Sequence, residues 1–293
     1  MEGLIITKHL SEYDARSIRR EAQRDEYVKV DRGVYLDTKT FATYSPWDQH
    51  RLMALALGAN RTRVLGGVSA AMLHGMWVDN REVGQPEYYP QRPRNRSELG
   101  IALAGRLPKL SRVNGSYVTI TSVSRTIIDL ARYHGPESCF MAMSWAIREQ
   151  QLTEADIQAE WKPSLNSKDI LDWASNNVDP RVESPAEASF LAQVRWHGAI
   201  QVTPQFPIID AWRRQRRADF LVDGTRLLVE INGMGKYGTT GQQQQQQLRA
   251  EKDRLDGLLN AGYHVLNYSA KQVFDGVAYE DLCRRLRVGS GRW

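Results

Sequence analysis

Cysteine is nearly absent from this 293-residue chain: there are two, Cys139 and Cys283, and they match no metal-ligand spacing. That count argues against a disulfide framework and a structural zinc site, and it suits a reducing compartment. No apolar run approaches the roughly 18 residues of a membrane span, so no membrane partner is expected. Residues 1–8 hold no long apolar stretch, so a signal peptide is not expected either, and the chain reads as cytoplasmic. No glycine-rich phosphate loop occurs, which removes the P-loop and dinucleotide-binding classes. An excess of one charge is also small: 39 Lys and Arg stand against 34 Asp and Glu, a net of +5. Such a balance permits nucleic acid binding without requiring it.

Length leaves room for two or three domains with substantial cores. Charge is unevenly placed. Residues 1–45 carry 8 basic and 8 acidic side chains, whereas residues 181–293 carry 16 and 12, so +4 of the net +5 falls in the last segment. A protein that holds phosphates needs its cations there.

The most informative stretch is 217–233, where two β-type runs flank Asp223-Gly224. Asp-Gly between alternating apolar residues is the strongest short-range hairpin signal. A two-residue loop puts Asp219 opposite Leu228, with Glu230 a diagonal neighbour on the same face. Two carboxylates so placed can share one divalent cation. Upstream, Ser184-Pro185-Ala186-Glu187 has the pattern of a helix start: Ser at the N-cap, Pro at the first helical position, Glu at the third. A capping box accounts for Glu187 by itself, and a metal-site role remains open beside it. Residues 213–217 set Arg213, Arg214, Arg216 and Arg217 just before Asp219, and guanidinium groups suit phosphate oxygens. The helix that follows the polar run at 242–247 has Leu248, Leu255, Leu258 and Leu259 for a core face, with Lys252 available to assist the site. A returning strand at 263–268 and a helix at 279–286 close the chain.

This spacing resembles the PD-(D/E)XK nuclease core in its very-short-patch-repair (Vsr-like) branch. The resemblance implies a restriction-endonuclease-like α/β/α domain over residues 176–293. It further implies that Asp219 and Glu230 bind Mg²⁺ (or Mn²⁺), with Glu187 as a third acid and the Ile231 carbonyl as an extra ligand. Asn232 stands where the motif has Lys, and Lys236, four residues later, can take over its positive charge.

Near the N-terminus, residues 15–23 read as a helix bearing Arg16, Arg19 and Arg20, followed by a hairpin around Asp31-Arg32. A basic helix followed by a hairpin is what a winged helix presents to DNA. Arg32-Gly33-Val34-Tyr35 resembles the end of the N-terminal domain of AbiEi-type antitoxins. The words at 68–75 and 121–131 resemble the central region of their actinobacterial relatives. Arg125 and Asp129, four apart, can pair on a helix surface. His74 ahead of Gly75 reads as a helix end, with a positive charge to partner the helix dipole. Residues 86–96 combine Tyr88 and Tyr89 with Arg92, Arg94 and Arg96, either as a nucleic-acid contact or as a solvated loop.

The expected fold is therefore α/β multidomain: a winged helix at 1–45, a mixed α/β central region at 46–175 with a hinge near 160–182, and the nuclease-like domain. Together the resemblances imply a metal-dependent DNA endonuclease in phage defence or a toxin–antitoxin system, with a cognate toxin or other defence protein as a further partner. The alternative is an AbiEi-like antitoxin or transcriptional repressor whose nuclease domain no longer cleaves.

Overall fold

The computed structural model describes residues 3–105, 107–109, 111–115, 117–152, 156, 167–233 and 241–288, with the backbone alone for Asn80 and residues 241–248. The described residues are mixed α/β, with three sheets, and the chain divides into two compact units, 1–172 and 173–293. No helix among the described residues is long and apolar enough to cross a membrane.

The first unit opens with β1 (Leu4–Ile6) and α1 (Glu12–Glu21), followed by the hairpin β2 (Tyr27–Asp31) and β3 (Val34–Asp37). Ser11 starts α1 as N-cap, accepting a bond from the Asp14 amide at 3.1 Å. The segment ahead of α1 is a strand and a short 3₁₀ turn rather than a helix, because Leu4 to Ile6 pair antiparallel with Leu36 to Val34. The hairpin turns on Arg32-Gly33, one residue later than expected, since Asp31 pairs with Val34. Gly33 has φ +71, and a Cβ there would meet the Thr7 hydroxyl at 2.7 Å. This three-stranded sheet packs against α3 (Pro46–Gly58), which follows the short α2 (Thr38–Thr43). Val30, Val34 and Leu36 share one core with Leu52, Ala56 and Leu57.

A five-stranded sheet comes next, built from β4 (Arg63–Leu65), β5 (Glu87–Pro90), β6 (Ile101–Ala102), β7 (Arg112–Asn114) and β8 (Thr119–Thr121) in the order β6-β5-β4-β8-β7. Its helices are α4 (Gly67–His74), α5 (Val123–Tyr133) and α6 (Gly135–Arg148). Tyr88 and Tyr89 do not reach solvent, because both lie in β5 and are buried in this core. Arg125 and Asp129 do pair, at 2.9 Å, yet inside the protein and not on a helix surface. The Tyr89 hydroxyl donates to Asp129 at 2.6 Å, so the ion pair is held within a polar network. His74 ends α4 beside Gly75 at φ +81 and bonds the Thr121 carbonyl. Burial lowers its pKa, so it serves the helix end as a neutral imidazole rather than as a cation. Most of the described part of the expected hinge is a helix, α7 (Lys168–Asn177).

The second unit runs α8 (Pro185–His197), β9 (Val202–Ile209), β10 (Gln215–Val222), β11 (Leu227–Asn232), α9 (Gly241–Asn260), β12 (His264–Ser269), α10 (Ala270–Phe274) and α11 (Val277–Leu286). Strands β9, β10 and β11 form an antiparallel meander, and β12 joins parallel to β11 after the α9 crossover, giving the order β12-β11-β10-β9. The Phe190 ring of α8 lies 5.0 Å from that of Phe220. Leu258 of α9 packs with Ile208, Ala218 and Leu228, whereas Leu259 is 45% exposed and not part of the core face.

Because Leu52 is fully buried where the first sheet meets α3, Leu52→Ala is expected to leave a cavity there. Urea denaturation should show a loss of about 2–5 kcal/mol in the stability of the first unit.

Candidate functional site

The hairpin between β10 and β11 sets the site. Its register is Phe220 to Val229 and Leu221 to Leu228, two residues away from the two-residue loop expected. Continued by one step, it sets Asp219 directly across from Glu230 instead of diagonally. The cause lies in the turn. A tight type I′ loop needs positive φ at both central residues, and here only Gly224, at φ +73, has it. Thr225 closes a wider turn, its hydroxyl donating to the Val222 carbonyl at 2.7 Å and accepting from the Leu227 amide at 2.9 Å. A shift by two preserves side-chain parity, so the expected face survives while the carboxylates come closer, to about 5 Å between Cβ atoms.

Asp219 accepts a bond from the Ile231 amide at 2.7 Å. Glu230 accepts from Arg254 at 2.6 Å, and Arg254 also bonds Glu251 at 3.2 Å. Burial raises the pKa of Asp219. Burial likewise lifts Glu230, with Asp219 adding and Arg254 opposing, to about 7. Glu187 is raised as well, again by burial first, with Asp219 contributing repulsion.

Glu187 occupies the position its capping pattern indicates. Ser184 caps α8, and the Glu187 carboxylate accepts from the Ser184 hydroxyl at 2.8 Å and the Glu183 amide at 2.9 Å. A third donor, Gln205 Nε2 at 2.7 Å, comes from β9. Gln205 has φ +53, uncommon for a residue other than glycine, and its Oε1 is buried without a partner among the described residues. Neither Gln205 nor Arg254 stands out in the sequence. Neither has a local signature, since they lie 18 and 24 residues from the carboxylates they bond.

The arginine cluster is largely committed within the unit. Asp210 binds Arg214 at 3.0 Å and Arg216 at 3.1 Å, while Arg214 also pairs with Asp253 and Arg217 with Glu183. Although burial opposes ionisation of Asp210, bonds from the Arg214 amide, Arg216 and Arg214 hold its pKa down at about 2. Only Arg213 of the four is without such a partner among the described residues. Asn232 is exposed at the end of β11, Lys252 is exposed on α9, and Lys236 lies outside the described residues. Arg19 and Arg20 are exposed on α1, while Arg16 is tied to Glu12 at 2.5 Å.

Among the described residues, no group of three or more His, Cys, Asp and Glu side chains is arranged to hold a metal ion. The donor set that does fit one is the opposed pair, Asp219 and Glu230. Mg²⁺ binds through one or two carboxylates and keeps several waters. Two half-buried carboxyls that repel each other are also what a divalent cation would relieve. Comparison with family models, with curated proteins and with solved structures returns no match.

The raised Glu230 carboxyl has a consequence for stability. The folded state retains its proton up to about pH 7, whereas an unfolded glutamate loses it near its ordinary value of 4.5. Folding is thus favoured at low pH, and this contribution is lost as pH rises from about 4.5 to 7. Glu230→Gln, neutral throughout, should gain on the wild type between pH 5 and pH 8 by on the order of 2 kcal/mol. Thermal or urea denaturation in EDTA at the two pH values measures the difference.

Proposed function

We propose that the second unit is a divalent-metal-dependent endonuclease acting on DNA, joined to a winged-helix DNA-binding module in the first. The observation that carries the reading is the β10–β11 register, which, continued one step beyond Phe220–Val229, sets Asp219 across from Glu230, both with raised pKa values. The succession of a helix, a three-stranded meander, a helix and a parallel strand supports it, as the order the resemblance implies.

In this account Asp219 and Glu230 hold Mg²⁺ or Mn²⁺, and the Ile231 carbonyl and Glu187 complete its surroundings. The ion, when bound, supplies an acidified water and stabilises charge building on the phosphate. Gln205 and Ser184 fix the Glu187 carboxylate, and the Ile231 amide fixes Asp219. Positive charge beside the site comes from Arg254, with Lys236, Lys252 and Arg213 as further phosphate contacts. Arg214, Arg216 and Arg217 shape the strand end through their ion pairs, and Arg19 and Arg20 face DNA from α1. The setting is cytoplasmic phage defence or a toxin–antitoxin pair, with a toxin or other defence protein as partner.

A second reading rests on the Arg254–Glu230 ion pair and on Asn232 in place of the motif lysine. An internal guanidinium already neutralises Glu230, which suits an AbiEi-like antitoxin or repressor with a non-cleaving nuclease fold.

Incubation of supercoiled plasmid with the protein and Mg²⁺ or Mn²⁺ separates the two. The endonuclease reading expects metal-dependent nicking that falls about 10²-fold or more in Asp219→Ala and in Glu230→Ala. Retained DNA binding without any nicking favours the repressor.

A further inference from the structure

A groove of about 900 Å³ in the first unit lies between the β2–β3 hairpin, the residues that follow α3, and the 93–95 turn. Five of its lining side chains are cationic, exposed, and without an acidic partner among the described residues: Lys8, Arg19, Lys29, Arg32 and Arg94. The one acid among its described lining residues, Asp31, is neutralised at 2.5 Å by Arg63. Burial opposes ionisation of Asp31, but bonds from the Arg32 amide and Arg63 outweigh it and hold its pKa below the usual carboxylate range.

The frame of the groove is tied together. Arg63 donates to the Asn95 carbonyl at 2.7 Å and to the Leu57 carbonyl at 3.1 Å. Asn60 donates to the Arg32 carbonyl at 2.9 Å, and Asn95 to the Thr62 carbonyl at 3.0 Å. Hairpin, helix end and turn are thereby fixed relative to one another, so the cations need little rearrangement to engage a ligand. Five uncompensated cations along one trough form a field that attracts phosphate. The contrast with the second unit is sharp, where Arg214, Arg216 and Arg217 are all paired with acids.

We infer that this groove holds the phosphodiester backbone of duplex DNA, with Lys29 and Arg32 of the hairpin on one wall, Arg94 on the other, and Arg19 and Lys8 at the α1 side. The inference deepens the DNA-acting reading by naming the surface that grips the polymer. It assigns a phosphate contact to Arg94, from outside the residues expected to form the winged helix. Bonds to phosphate carry no base information, so the groove supplies affinity and register rather than sequence choice.

The test is fluorescence anisotropy of a labelled 20-base-pair duplex with the full chain in EDTA, over a series of salt concentrations. Omitting metal separates binding from cleavage, so the outcome stands whether or not plasmid is nicked. Each phosphate contact contributes about 0.9 to the slope of log K against log salt. Lys29→Ala with Arg94→Ala is expected to lower that slope by about 2, and Lys39→Ala with Lys109→Ala, exposed elsewhere on the unit, to leave it unchanged. Circular dichroism melts of both variants confirm folding. Equal slopes in the two double variants, or no binding of duplex by the wild type at 50 mM salt, would overturn the inference. A second arm titrates inorganic phosphate and AMP by calorimetry. Saturable binding of either without binding of duplex assigns the groove to a small phosphate and also overturns it.

Discussion

Two carboxylates face each other across one hairpin, and much of the second unit is arranged around that constraint. At an effective dielectric constant near 20, like charges about 5 Å apart repel by about 3 kcal/mol. Burial is the first reason that both Asp219 and Glu230 resist ionisation, and the charge of Asp219 adds to it at Glu230. The fold moderates the repulsion with what lies close by: the Ile231 amide for Asp219 and the Arg254 guanidinium for Glu230. A divalent cation would do so more completely. Arg254 would then compete with the metal for Glu230 or supply charge to a bound phosphate. The nuclease and repressor readings differ in which of these it does.

The scaffold explains how such a pair persists. Phe190 against Phe220 anchors α8 to β10, so the capped start of α8 brings Glu187 to Gln205 on β9. Leu258 fixes α9 against Leu228, and Arg254, one turn earlier, reaches Glu230. Packing thus delivers the polar contacts, and each of the two helices contributes one side chain to the region of the site. Charge is divided differently between the units. The second unit holds the larger formal excess but uses its arginines on Asp210, Glu183 and Asp253, while the first, more nearly neutral, leaves cations uncompensated around one groove.

Local patterns were legible in the sequence, and long-range pairings were not. Ser184-Pro185-Ala186-Glu187 capped the helix it indicated, because capping depends on residues three or four apart. The strands around Asp223-Gly224 formed where alternation placed them, and the shared face of Asp219 and Glu230 followed from parity. Their register did not, because it depends on whether Asp223 takes positive φ, which the dipeptide alone does not decide. Net charge was misleading for a related reason: counting cations says nothing of which acids the fold brings beside them, and Asp210 captured two. The buried Tyr88 and Tyr89 show the same limit, since an arginine-rich neighbourhood concealed a core strand.

The central claim is that Asp219 and Glu230 form a divalent-cation site. It is tested most directly by anomalous diffraction at the manganese edge from crystals soaked in Mn²⁺. The account predicts a peak bridging the two carboxylates, with Arg254 released from Glu230, and no peak in Asp219→Ala crystals. A wild-type map with no manganese there and the Arg254–Glu230 pair intact would contradict it.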